Sequence, residues 1–137
     1  MEKIIVKGEG MWADKLSPTR YKIHNIPFTI LDIALHDIVL VDDPEPDRLK
    51  PVFRRVVRRS GNSTVGVIIE EDYRDKYKLQ ELKDLGLSLE CAVRGFYSAN
   101  VPAGTDLDLI DRVLKERAKE GILRYEWIFR FRNHKKK

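Results

Sequence analysis

A single cysteine, Cys91, stands in the 137 residues. No disulfide can therefore close within the chain, so stability has to come from packing, and a reducing cytoplasmic setting is the simplest expectation. Long apolar runs are also missing. The N-terminus, Met1 to Gly8, has only Ile4-Ile5-Val6 in succession, too short for the apolar region of a secretory signal. No window approaches the roughly 20 apolar residues that span a bilayer. The expectation is a protein neither exported nor embedded in a membrane. Metal-binding spacing is absent as well: His24, His36 and His134 fall in no His-x-x-x-His pattern, and there is no Cys-x-x-Cys, which argues against a structural zinc site. The acidic run Asp42-Asp43-Pro44-Glu45-Pro46-Asp47 lacks the alternating ligands and central glycine of a calcium loop. No serine stands in a Gly-x-Ser-x-Gly context. Cys91 lies in Leu89-Glu90-Cys91-Ala92-Val93, where strand alternation puts it on the face of Leu89 and Val93, predicting a buried structural thiol. These absences together predict a protein that is not an enzyme and takes no cofactor or metal.

What is present fits a folded chain. Hydrophobic residues make up 42% and charged residues 35%, enough apolar surface to offset chain entropy. The net charge is +4, but Arg130, Arg132, Lys135, Lys136 and Lys137 crowd the last eight residues. Removing those five charges from the +4 total leaves −1 for the rest, so the basicity is expected in a tail and no basic face is expected on the fold.

The first half reads as short strands. Residues 10–15 and 21–28 flank Ser17-Pro18-Thr19, a turn with proline presetting its backbone angle. Residues 38–41 form a β-branched run that ends in the acidic loop, whose two prolines exclude a central strand. Residues 52–59 recover the strand pattern, turn at Ser60-Gly61-Asn62, and continue as residues 64–70. Further on, Tyr73, Tyr77, Leu82 and Leu85 fall at helical spacing before Gly86. Residues 87–93 and 97–101 are strands. Thr105 or Asp106 caps a second helix with the stripe Leu107, Ile110, Val113, Leu114, Arg117 and Ala118, ended by Gly121. The last strand alternates most clearly, with Tyr125, Trp127, Phe129 and Phe131 against Arg124, Glu126, Ile128 and Arg130. The predicted fold is α+β: N-terminal antiparallel strands, as a curled sheet or small open barrel, joined to a ferredoxin-like βαββαβ unit with two helices on one face. Residues 64–70 are expected to bridge the two, giving one domain over 1–137: a β-rich part at 10–62, the ferredoxin-like part at 63–131, and a basic tail at 132–137.

The first half also carries an ordered set of short motifs: Trp12, Tyr21, Asn25-Ile26-Pro27-Phe28, His36-Asp37-Ile38-Val39, Phe53-Arg54-Arg55-Val56-Val57 and Ser60-Gly61-Asn62-Ser63-Thr64. On these the chain resembles a bacterial family of domains of unknown function, the one labelled four-two-six-five. The likeness is strong over residues 10–70 and holds beyond them only as a pattern of elements. The chain departs from the family's pattern at His36, where a glycine is usual, and at Asn62, where a histidine is usual. The resemblance implies a bacterial, cytoplasmic, small stand-alone protein and no established activity, a profile that overlaps with immunity proteins of toxin systems.

The strand Phe53-Arg54-Arg55-Val56-Val57-Arg58-Arg59 has no purely apolar face under strict alternation, so at least one arginine face has to meet solvent, acids or a partner. Asp42, Asp43, Glu45 and Asp47 lie just upstream, and internal pairing with Arg54, Arg55, Arg58 and Arg59 stands beside a partner-binding role for the same residues. Arg58 and Arg59 also flank Ser60 to Thr64, a loop able to cradle an anion, although turn chemistry alone accounts for it. The leading expectation is a non-enzymatic cytoplasmic immunity or antitoxin-type inhibitor that occludes a partner protein such as a toxin domain. The alternative is nucleic-acid binding by Arg124, Trp127, Arg130 and Arg132 with the tail. An enzyme site around His36 and Ser60 to Thr64 ranks third.

Overall fold

The structure, a computed structural model, describes residues 1–6, 8–28, 32–42, 50–75, 77 and 79–132. Strands β1 (Glu2–Val6), β2 (Glu9–Ser17), β3 (Arg20–Ile23), β4 (Ile38–Val41) and β5 (Phe53–Arg58) pair in chain order as an antiparallel meander. The turn at residues 17–19 joins β2 to β3 as expected, with Ser17 Oγ accepting the Arg20 N–H at 3.1 Å. β1 is an addition to the sequence reading, which treated that stretch only as a failed export signal. Alternation buries Ile4, Val6, Met11, Ala13, Tyr21, Ile23, Val39 and Val41 on one face. The sheet curls around this face until Ile5 donates its N–H to Pro51 O at 2.8 Å and forms a parallel bridge with Val52. The result is a half-barrel with a concave apolar interior.

Strict alternation mis-sorted β5. Its pairing with β4 slips twice, between Ile38 and Val39 and between Leu40 and Val41. Each slip sets an extra residue in β5, so Phe53 and Val56, three apart, both pack on the interior. Arg55 and Arg58 lie opposite Leu40 and Ile38 on the outer face. A bulge re-aims the side chains that follow it, and two of them give an arginine-rich strand the apolar face that its sequence lacks.

The second sheet contains β6 (Ser63–Ile69), β7 (Ser88–Val93), β8 (Phe96–Val101) and β9 (Leu123–Phe129), antiparallel in the order β7-β8-β6-β9. β6 pairs only within this sheet and does not bridge the halves; the residues at 60–62 lead from one sheet to the other and are not a hairpin turn. The left-handed residue there is Gly61 at φ +94°, and a Cβ on it would come within 2.9 Å of Ala103 Cβ. The first helix is also shorter than its spacing suggested. A 3-10 turn at Glu71–Tyr73 precedes α1, which runs only Gln80–Asp84 after Leu79 takes a positive φ. α2 (Leu107–Lys119) follows the expectation, with Asp106 Oδ1 accepting from the Asp108 and Leu109 N–H groups. Leu82 of α1 and Ile110 and Leu114 of α2 share one core with Val65, Val67, Ile69, Ala99, Val101 and Leu123. Arg117 ties the helices by a two-pronged contact to Glu81, at 2.9 and 3.1 Å.

Cys91 is exposed. β7 is an edge strand whose pairing slips between Cys91 and Val93, and of the alternating set only Leu89 packs on the core. Among the described residues no helix is long and apolar enough to cross a membrane.

Two carboxylates make the fold acid-sensitive. Asp111 Oδ1 accepts from Trp127 Nε1–H at 2.9 Å and Tyr125 O–H at 3.2 Å, and these donors, Trp127 foremost, hold its pKa below the usual carboxylate value. Arg117 does the same for Glu81. A carboxyl with a lowered folded pKa contributes stability that is complete above its unfolded pKa and is lost as pH falls through the folded value. The urea midpoint should therefore drop steadily as pH falls from 5 to the acid range. Asp111→Asn should lower stability at neutral pH by about 1–2 kcal/mol and flatten that dependence; an unchanged pH profile would exclude Asp111 as a source.

Candidate functional site

Register fixes what the outer face of the half-barrel carries. Lys3 lies opposite Trp12, Asp14 opposite Lys22, and Arg20 opposite Leu40. The rows continue as Lys22–Ile38–Arg58 and Arg20–Leu40–Arg55 across three strands. Among the described strand residues, the convex face thus gathers Lys3, Arg20, Lys22, Arg55 and Arg58 with the carboxylate of Asp14. The expectation of no basic face is overturned: charge summed along the chain hides how strand parity and bulges sort it in space. Trp12 is 44% exposed on this face, with Lys3 Nζ 5.3 Å from its ring centroid.

At the end of the face nearest the second sheet lies a hollow of about 470 Å³ lined by Lys22, His36, Ile38, Arg58, Arg59, Ser60 and Asn62. Its base is built on Asp37, which has no exposed surface. Asp37 Oδ1 accepts the Ser60 N–H at 2.8 Å, and Oδ2 accepts the Ala34 N–H at 3.0 Å and an Arg59 N–H at 3.1 Å. Arg59 also donates to Asp32 O and lies over the Phe129 ring, 4.4 Å from its centroid. Ser60 Oγ donates to Leu35 O at 2.7 Å and accepts from Asn62 N–H at 3.1 Å. Asn62 in turn donates to Leu35 O and accepts from Ala103 N–H, both at 2.9 Å. Ser60 and Asn62 are tied into the crossover, so the Ser60 hydroxyl is held as a structural group and is not poised as a nucleophile.

His36 enters the hollow at φ +69°, a left-handed conformation that is costly for any residue with a Cβ. Its ring meets the His24 ring edge-on at 5.4 Å, and His24 Nε2 lies 2.5 Å from Asp14 Oδ2. Partial desolvation first, then Lys22 and His24, lower the His36 pKa, with Asp14 opposing them. At neutral pH His36 therefore offers one ring donor and one acceptor. His36 and Asn62 both line this one hollow.

Of the residues singled out in the sequence, Arg58 and Arg59 come together here, and Arg55 lies on the same face. Arg54, a bulge residue, pairs with Asp42 at 3.1 Å, so internal pairing holds for that one couple; Asp43, Glu45 and Asp47 lie outside the described residues. Lys22, Trp12 and Asp14 were missed, although each stands at an outward position of an alternating strand. The last-strand set is divided. Trp127 packs against the helix-side core and bonds Asp111. Arg130 lies over the Trp127 ring and pairs with Asp108 at 2.7 Å. Arg124 projects from the opposite side and pairs with Glu70 at 3.2 Å, and Arg132 is exposed beyond the strand. Of the aromatic stripe, Tyr125 and Trp127 pack on the core and Phe129 lies against Arg59.

A family model described as a domain of unknown function, DUF4265, matches residues 9–125. Comparison with curated proteins found no match. Among solved structures, a hypothetical protein from Neisseria gonorrhoeae is similar at a TM-score of 0.73 and 19% identity, over 88% of this chain and 82% of that one. That likeness is one of fold.

Asp37→Ala removes the acceptor of three N–H groups and leaves the Arg59 guanidinium partly buried without its anion. A loss of about 3–5 kcal/mol is expected by denaturant titration; a loss below about 1 kcal/mol would show that the crossover is held otherwise. His36→Gly relieves the positive φ and should raise stability by about 1 kcal/mol. The lowered His36 pKa means that protonation opposes folding, so this gain should widen as pH falls below 6.5.

Proposed function

The chain belongs to the DUF4265 family, and on that premise we propose that it is a non-enzymatic binding protein whose convex basic face docks an acidic surface of a partner protein. The observation that carries this reading is the sorting of Lys3, Arg20, Lys22, Arg55 and Arg58 onto one face around Trp12, Ile38 and Leu40. Tryptophan and arginine dominate binding energy at protein interfaces, and a one-signed patch speeds and selects encounter. Among the described residues no carboxylate pairs with Arg55 or Arg58, and both would meet a partner's carboxylates on this face. An immunity or antitoxin-type inhibitor acting in the cytoplasm is the biological form we favour, with a partner whose active surface is acidic.

Binding rather than catalysis is favoured by the commitments of the side chains. The Ser60 hydroxyl is tied down on both sides, and Cys91 Sγ lies 3.1 Å from Val93 O on a sheet edge. The second half we read as a ferredoxin-like unit, supported by its strand-helix-strand-strand-helix-strand order and by β6, its first strand, lying between β8 and β9. Nucleic-acid binding on the last strand has less support, since Arg124, Trp127 and Arg130 each have an acid in contact.

Affinity capture from native cells, washed at moderate and high salt, tests the reading. The expected result is a stoichiometric partner with an acidic surface, lost at least tenfold with the double variant Arg55→Glu, Arg58→Glu. Capture undiminished by that variant, or recovery of RNA or DNA alone, would overturn it.

A further inference from the structure

The hollow beside His36 holds a charge arrangement that docking of a protein on the wider face does not account for. Lys22, Ile38 and Arg58 are direct cross-strand neighbours on adjacent strands. The two cations therefore stand two strand spacings apart, about 10 Å at the backbone, with Ile38 as an apolar floor between them. Neither cation has an ion pair among the described residues. Like charges brought together on one sheet face are unfavourable, and long side chains rooted that far apart can close on a common ligand. Arg59 adds a third cation, with the wholly buried Asp37 as its own counter-ion on the far side. Among the described residues no aspartate or glutamate lines the hollow. The lining thus brings three cations together against the single counter-ion of Arg59, with Asp14 next to Lys22 on the neighbouring strand, and offers donors from Arg58, Lys22, the His36 ring and the Asn62 amide.

The fold assembles this arrangement at some local expense. The register slip between Ile38 and Val39 puts Arg58 opposite Ile38, and without it Val57 would take that place. His36 is held at φ +69° beside it. Bulges and strained backbone gather where side chains have been re-aimed for a ligand.

We propose that this hollow is a binding site for the phosphate group of a small phosphate monoester. A monoester carries close to two negative charges at neutral pH, matching Lys22 and Arg58, whereas a carboxylate carries one. The guanidinium fork of Arg58 suits two phosphate oxygens and the Lys22 ammonium a third. A volume of about 470 Å³ leaves room for an organic substituent beside the phosphate. The site goes beyond the protein-docking reading: it shares Lys22 and Arg58 with that face, whereas Arg55, Arg20 and Lys3 do not line the hollow.

Titration of the intact protein at constant ionic strength tests the assignment, using inorganic phosphate, glycerol phosphate, acetate and a short DNA duplex as probes. Binding is followed by calorimetry and by the His36 ring resonances. Saturable one-to-one binding of phosphate and glycerol phosphate is expected, at least tenfold tighter than acetate. Lys22→Gln with Arg58→Gln should weaken it at least tenfold, while Arg55→Glu and Arg124→Gln leave it within twofold. Thermal melts confirm that each variant is folded. A response shared by acetate and phosphate, or binding that survives the Lys22/Arg58 double variant, overturns the site. So does a duplex that binds more than tenfold tighter than glycerol phosphate, which would give the cations to a nucleic-acid backbone. Failure here with intact capture of a partner would leave the docking face standing, since Arg55→Glu separates the two.

Discussion

Asp37 has no surface in contact with solvent, and its two oxygens are occupied by three N–H donors from two separate stretches of chain. Ala34 belongs to the loop that leaves the first sheet and returns as β4; Arg59 and Ser60 belong to the segment that leaves β5 for β6. One carboxylate therefore fixes the exit of the half-barrel against the entry of the second sheet. A buried anion that lost these partners would be several kcal/mol less favourable, so the donors cannot drift apart independently. Ser60, Asn62 and Leu35 then add neutral bonds around it, and the hollow with His36 takes its shape from the same knot. What the outer face can bind is a consequence of how this inner charge is satisfied.

The two bulges of β5 act in the same direction. A strand of Phe, Val and Arg in no regular alternation would either bury a guanidinium or expose its apolar residues. Inserting one residue twice lets Phe53 and Val56 face inward and Arg55 and Arg58 outward. That solution is invisible in the local sequence, because a bulge formed by arginine and valine has no glycine to mark it. The outward positions of β2 and β3 were legible in principle, since Trp12, Asp14 and Lys22 alternate with buried Met11, Ala13, Tyr21 and Ile23. What could not be read was that the sheets' curl and register would bring them beside Arg58.

The crossover illustrates a different limit. Ser60-Gly61-Asn62 has the composition of a turn and is locally tight, with Gly61 in the left-handed region. Whether the strands on either side pair with each other is decided elsewhere, by β8 and β9, which claim both edges of β6. The last strand went the other way. Its alternation was strong, and Trp127 and Tyr125 packed as an apolar stripe does, with their polar atoms directed to Asp111. α2 was legible because its cap, stripe and stop all agree. α1 was not, because Leu79 adopts a positive φ and interrupts a run whose spacing alone looked helical.

The two sheets differ in when they can be completed during synthesis. The first is a meander in which every strand pairs with the next, so all of its strands are available once residue 58 has left the ribosome. β6 follows at once but must wait for both neighbours: Ile68 for Phe96, and Thr64 for Phe129, the last residue of β9. Until residue 129 has emerged, this almost wholly buried strand has two bare edges beside the half-barrel. Long-range pairing of this kind is slow and leaves strands open to wrong partners. The three donors of the Asp37 knot, Ala34, Arg59 and Ser60, all precede β6, so the knot that holds the start of that strand requires no residue of the second sheet.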